Sequence, residues 1–206
     1  MILFMLMVLI VMIQFFCKEV LAEDVAVDEP PALATVEQLE AGVIYLLDRD
    51  GTPTMDPRRE LTGDIARAVE IAARETHTDP WLLISMAYHE SSFTPTACGL
   101  KKELGLLQVH GVALNRCKAR NLNPGTNLED SVRCGASWFS DMIATCGIEA
   151  QEWEKCRKTK QSPACNGALS AYLSGECLAS TIVGPRVAAR LRTRDKMMLH
   201  VLMPMR

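Results

Sequence analysis

Apolar residues recur at helical spacing through most of the chain and nowhere alternate over a long run, which predicts a mainly α-helical protein. Thr35-x-x-Gln38 fits a capping box, and Val36, Leu39, Val43 and Leu46 behind it predict a helix to about Leu47. Ile65, Ala68, Val69 and Ala72 mark a second helix between Asp64 and Thr76. Asp79-Pro80 starts a third, since aspartate is a good N-cap and proline suits the first helical position. This helix is almost wholly apolar from Trp81 to Tyr88, runs to Glu90, and must end before Pro95. Leu128, Val132, Ala136, Phe139 and Ile143 trace a further stripe behind an Asn127 cap, and Gly167 to Leu173 reads as a short buried helix.

Pro185 opens the last helix, to about Val201. Its basic residues Arg186, Arg190, Arg192, Arg194 and Lys196 would suit a membrane surface. Packing on the domain through Val187, Leu191 and Met198 is the better account. Between the helices, Asp48-Arg49-Asp50-Gly51 resembles the start of a calcium loop, but its glycine comes too early and no bidentate glutamate follows. A solvated turn explains it. Gly147 to Ala164 is dense in charge between Cys146 and Cys165 and reads as an exposed insertion, whose closure a disulfide between those two would ease.

The apolar pattern also singles out the N-terminus. Met1 to Phe16 is apolar except for Gln14 and short for a membrane span of about 20 residues. Val20-Leu21-Ala22 then offers cleavage-site residues, so 1–22 reads as a signal peptide cleaved after Ala22. Ahead of the apolar run only the free amine supplies positive charge, which keeps an uncleaved anchor as the alternative. Asp24 to Ala34, acidic with Pro30-Pro31, reads as a flexible lead-in.

Composition sharpens this picture at two points. The chain has 206 residues and a net charge of −3, enough length for a core and no charge balance that calls for nucleic acid. Its eight cysteines include Cys98, Cys117, Cys134, Cys146, Cys156, Cys165 and Cys177, all beyond the leader. An exported domain would oxidise them, and no C-x-x-C spacing points to a zinc or redox site. With an odd number beyond the leader, at least one thiol is unpaired or pairs with another molecule, and connectivity stays open.

The chemistry centres on Glu90, at the C-terminal end of the apolar helix, in His89-Glu90-Ser91-Ser92-Phe93-Thr94-Pro95. A carboxylate set against apolar groups favours its protonated form and can serve as a general acid. Alternatively, Glu90 merely ends a core helix, pointing into water or pairing with a nearby Lys or Arg. His89 and His110 read as surface or core histidines.

Two further segments follow in order, Gly105-Leu106-Leu107-Gln108 with Val109, and Ala171-Tyr172-Leu173-Ser174-Gly175. Together with Glu90-Ser91-Ser92-Phe93-x-Pro95, the set resembles the lysozyme-like lytic transglycosylases, the soluble lytic transglycosylase domain family, over roughly Leu61 to Gly184. The resemblance implies a lysozyme-like helical domain at 61–206, after an extension with one helix at 23–60. It implies a peptidoglycan-cleaving enzyme that needs no cofactor, with Glu90 protonating the bond between N-acetylmuramic acid and N-acetylglucosamine. The same carboxylate would then take a proton from the muramic C6 hydroxyl, giving a 1,6-anhydro product without a second carboxylate. Two-carboxylate glycosidases instead hold their acids roughly 5 to 9.5 Å apart.

By the same resemblance Ser91 and Gln108 are polar positions of the cleft, Gly105 lets backbone approach substrate, and Tyr172 orients Glu90. Phe93 and Leu106 would supply apolar surroundings. Capping and loop hydrogen bonds would account equally for Ser91 and Gln108, a turn for Gly105, and the core for Tyr172. One departure is specific: Leu173 stands where the family usually has asparagine.

The implied setting is the periplasm or the extracellular space, with glycan strands as substrate and membrane contact only if the leader is retained. A role beside a secretion apparatus rests on analogy alone. Two other readings stand beside it: a hydrolytic lysozyme, in which water attacks, and a non-catalytic glycan-binding or structural module that keeps the fold.

Overall fold

Thr35 opens helix α1 (Val36–Arg49) with the reciprocal capping box that its spacing predicts: its hydroxyl accepts from the Gln38 amide at 3.3 Å, and Gln38 Oε1 accepts from the Thr35 amide at 3.0 Å. The computed structural model describes residues 34–148, 169–173 and 185–203. The leader, the lead-in to 33, nearly all of the charged insertion, and Cys156, Cys165 and Cys177 lie outside those residues.

A 3-10 turn (Pro57–Leu61) leads into α2 (Thr62–Thr76). Helix α3 (Pro80–Ser91) starts as predicted, with Asp79 accepting from the amides of Trp81 at 2.9 Å and Leu82 at 3.4 Å. Every residue from Pro80 to Ala87 is buried. A helix apolar on all sides must be surrounded, and α3 packs against α1, α2 and the final helix, α6 (Pro185–Leu202). Leu39, Val43, Leu46 and Leu47 of α1 enter the same core as Leu83, Ile84 and Met86 of α3. The extension helix thus shares its apolar face with the rest.

Helix α5 (Leu128–Thr145) follows its Asn127 cap, which accepts from the Asp130 amide at 3.0 Å, and lays Val132, Ala136 and Phe139 into the core beside α2. Residues 169–173 are helical, with Leu169 and Ala171 buried. Helix α4 (Gly111–Ala119) was not visible in the pattern. Only Ala113 and Cys117 are buried there, too few for a readable stripe, and Val112 faces water. A disulfide between Cys117 and Cys134 pins α4 to α5, beside a small apolar cluster with Val109 and Ala113 and an ion pair from Arg116 to Asp141. Cys146 is also disulfide-bonded, whereas Cys98 is free and exposed.

The final helix departs from expectation in which face it buries. Val187 and Leu191 pack inward as expected and Met198 is partly buried, but Arg190 and Arg194 are buried as well, each 4% exposed. Positions 187, 190, 191 and 194 lie on one helical face, so two arginines occupy core positions and need acidic partners on α3.

Candidate active site

Glu90 occupies the last turn of α3, where the apolar length gives out. Ser92 and Phe93 follow in the left-handed region, with φ of 49° and 62°, and this double reversal carries the chain back so that the Phe93 ring is fully buried. The Glu90 side chain is 14% exposed. Its direct partner is Arg190 of α6, whose Nη2 donates to Glu90 Oε1, with the guanidinium side chain 4% exposed. Of the alternatives for this carboxylate, pairing with an arginine is the one found.

Arg190 is itself held. Its Nη1 donates to the Arg186 carbonyl at 3.0 Å, and its own carbonyl accepts from Ser85 Oγ of α3 at 2.6 Å. Its Nε is buried with no hydrogen-bond partner among the described residues. Near the pair, His89 Nε2 and Thr193 Oγ1 lie 2.9 Å apart. Burial, and then the Arg190 charge, push the His89 imidazole below its usual range and favour the neutral ring.

The Gly105–Gln108 turn sits against this helix end. Ser91 Oγ contacts two carbonyls, Leu106 at 2.8 Å and Ala87 at 3.1 Å, which ties the turn to α3. On its other side the Leu106 amide donates to Ser131 Oγ of α5 at 2.6 Å. Two isolated antiparallel bridges, Cys98 with Leu104 and Leu104 with Val109, brace the segment. Gln108, at φ 49°, donates its side-chain amide to the carbonyls of Gly105 at 2.8 Å and Ala97 at 3.2 Å. Gly105 has φ 76°, and a Cβ there would stand 2.2 Å from the Pro124 carbonyl oxygen and 2.2 Å from Ser131 Oγ. Its close approach is to protein.

Tyr172 stands edge-on to Phe139, with ring centroids 5.9 Å apart, and donates its hydroxyl to the Leu107 carbonyl at 2.6 Å. Burial first, and then the Glu90 carboxylate, push the phenol far above its ordinary range, so it stays protonated. Leu173 beside it packs against the core. Ser91, Gly105, Gln108 and Tyr172 therefore converge on one turn and knit it to α3, α5 and the 169–173 segment, with Glu90 at its edge. His110 lies at the start of α4 and is exposed.

The turn at Asp48–Gly51 is tied down too. Asp50 accepts from Tyr88 Oη at 2.6 and 2.8 Å, and Arg49 lies 5.0 Å over the Tyr88 ring. Among the described residues no three His, Cys, Asp or Glu side chains gather as a metal-binding group.

Sequence reasoning missed Arg190. The signal was present in its spacing, since 190 shares the stripe of Val187, Leu191 and Arg194, yet a basic helix reads by charge as a solvated one.

A model of the transglycosylase SLT domain family matches residues 67–178, a span that contains Glu90, the Gly105–Gln108 turn and Tyr172. Comparison with curated proteins and with solved structures gives no match in either case.

Proposed function

The chain belongs to the transglycosylase SLT domain family, and from that membership we propose that it is an exported lytic transglycosylase with Glu90 as its acid. The observation that supports this most directly is the position of Glu90, a carboxylate at the end of the most deeply buried helix and beside a braced turn. The substrate implied by the family is peptidoglycan. The finer reading takes the bond between N-acetylmuramic acid and N-acetylglucosamine.

In this reading Glu90 gives its proton to the glycosidic oxygen as the bond from that oxygen to the muramic C1 breaks. The carboxylate left behind accepts the proton of the muramic C6 hydroxyl, whose oxygen bonds to C1 and closes the 1,6-anhydro ring. No water is consumed, and Glu90 ends protonated as it began. General acid catalysis of this kind contributes roughly 100- to 10,000-fold in rate.

The other proposed site residues work through the turn. Tyr172 and Ser91 hold its carbonyls, at Leu107 and Leu106 respectively. Gln108, its amide nitrogen engaged by the turn, offers its carbonyl oxygen to a sugar N–H. Gly105 lets the turn sit against α5 at the distance this requires. Leu173 removes an amide that the family usually presents, so the sugar contacts rest on the remaining groups.

We assign 1–22 as the export leader, 23–60 as the extension and 61–206 as the catalytic domain. No helix among the described residues is long and apolar enough to cross a membrane. Local remodelling of the wall, as around a secretion apparatus, is the proposed setting.

The test is digestion of purified peptidoglycan by the protein, expressed in an oxidising compartment, and by Glu90→Gln, with released muropeptides resolved by mass spectrometry. Products lighter than the hydrolysed form by one water, and lost with the variant, are expected. Hydrated ends would instead make the protein a muramidase. Binding without release by either protein would leave a glycan-binding module.

A further inference from the structure

We propose that Arg190 is a positioning residue for this reaction: it fixes the Glu90 carboxylate at the end of α3 in the orientation from which it exchanges protons with the substrate. The inference rests on Glu90 being the acid. It adds a second helix, α6, to the working parts of the site.

The argument begins with cost. Bringing a guanidinium and a carboxylate to 4% and 14% exposure forfeits hydration that their attraction only partly returns, and apolar side chains of similar volume generally stabilise as well or better. The buried Nε, without a partner among the described residues, adds to that cost. Stability is therefore a poor account of this arginine.

Its geometry fits a positioning role. The guanidinium is planar, permanently charged and directional, and here two of its nitrogens are committed, one to the Arg186 carbonyl and one to Glu90. Ser85 grips the Arg190 backbone and Thr193 meets His89, so α6 is fastened to α3 at two further points. A donor held before the reaction starts need not reorganise when charge appears on Glu90, which is how preorganised groups lower a barrier.

The ionisable surroundings are compatible with that task. Tyr172, from the 169–173 segment, stays protonated, and His89, on α3, is biased toward its neutral form. Arg49 and Asp50, at the end of α1, lie behind His89. The Arg186 side chain, also on α6, is exposed. Arg190 is thus the cation in direct contact with Glu90 among the described residues.

The test uses the whole protein, with Arg190→Met, Arg190→Gln, Arg190→Lys and Glu90→Gln compared on purified peptidoglycan for binding and for rate of muropeptide release, and thermal unfolding recorded for each. The methionine and glutamine variants should bind the wall as wild type does, because the braced turn is untouched. Their rate at the wild-type optimum should drop on the order of 100-fold from lost orientation. Lysine, which keeps a cationic donor at this position, should recover part of the rate.

Three side chains of different size keep the question decidable if one variant fails to fold. A rate in the neutral variants that falls only as far as unfolding or lost binding explains, or that lysine does not recover at all, would overturn the role of Arg190. A Glu90→Gln protein as active as wild type would instead overturn the reading of Glu90 itself.

Discussion

Arg194 of α6 reaches the Asp79 carboxylate at 3.4 Å, with both side chains over nine-tenths buried, at the opposite end of α3 from Glu90. Asp79 also caps α3 through the amides of Trp81 and Leu82, so one carboxylate starts the central helix and anchors the final one. Asp79→Ala should cost roughly 2 to 4 kcal/mol, combining the lost cap with a buried guanidinium left short of charge. Asp195, which also accepts from Arg194, limits that loss. Asp79→Asn should cost about half as much, because asparagine caps as well as aspartate. Denaturant unfolding of the two variants separates cap from charge.

Gly105→Ala should destabilise by about 2 to 4 kcal/mol, from a left-handed backbone with a Cβ and from overpacking against the Pro124 carbonyl and Ser131. Gly51 provides the control, since its φ is 68° but a Cβ there meets nothing within 4 Å. Gly51→Ala should lose only the backbone part, about 1 to 2 kcal/mol. Equal losses would show that the crowding at Gly105 relaxes freely.

His89 predicts a pH dependence of stability. Its folded value is depressed below the ordinary 6.5 by burial and then by Arg190, so the folded protein prefers the neutral ring more than the unfolded chain does. That contribution is complete above about pH 6.5 and is lost as the pH falls below it, where the unfolded state binds the proton more readily. Replacing His89 with Gln should therefore flatten the difference in melting temperature between pH 7.5 and pH 5 relative to wild type. An unchanged difference would assign the dependence to other groups.

Replacing Cys117 and Cys134 by alanine should lower the unfolding free energy by about 3 kcal/mol, the loop-closure value for residues 17 apart. Substitution is cleaner than reduction, because Cys146 is disulfide-bonded as well and a reductant would open both. Retention of Glu90-dependent activity is expected, since α4 packs on α5 and makes no close packing with α3.

Four of the helices legible in the sequence had both a chemical start signal and an apolar face, Thr35 for α1, Asp79-Pro80 for α3, Asn127 for α5 and Pro185 for α6, while α2 was legible from its apolar stripe alone. Helix α4 had neither, and its hold on the fold passes through a disulfide whose pairing spacing alone does not determine. In the candidate site, Glu90 stood out because an acid after an apolar run is costly. The partners of Ser91, Gln108 and Tyr172 did not, because a hydroxyl or amide bonds backbone and sugar with the same chemistry. Arg190 was obscured by its type, since an arginine on a core stripe is easily read as solvated unless the acid facing it is already known.

Glu90 and Arg190 are separated by a hundred residues, which also orders their arrival. As the chain grows, α1, α2 and α3 can close their shared core well before the segment that becomes α6 has been made. Until α6 docks, the carboxylate has no guanidinium beside it. Contacts of such long sequence separation form late, because the loop between them must close first. A half-made or half-docked chain therefore carries the motif residues without their final arrangement.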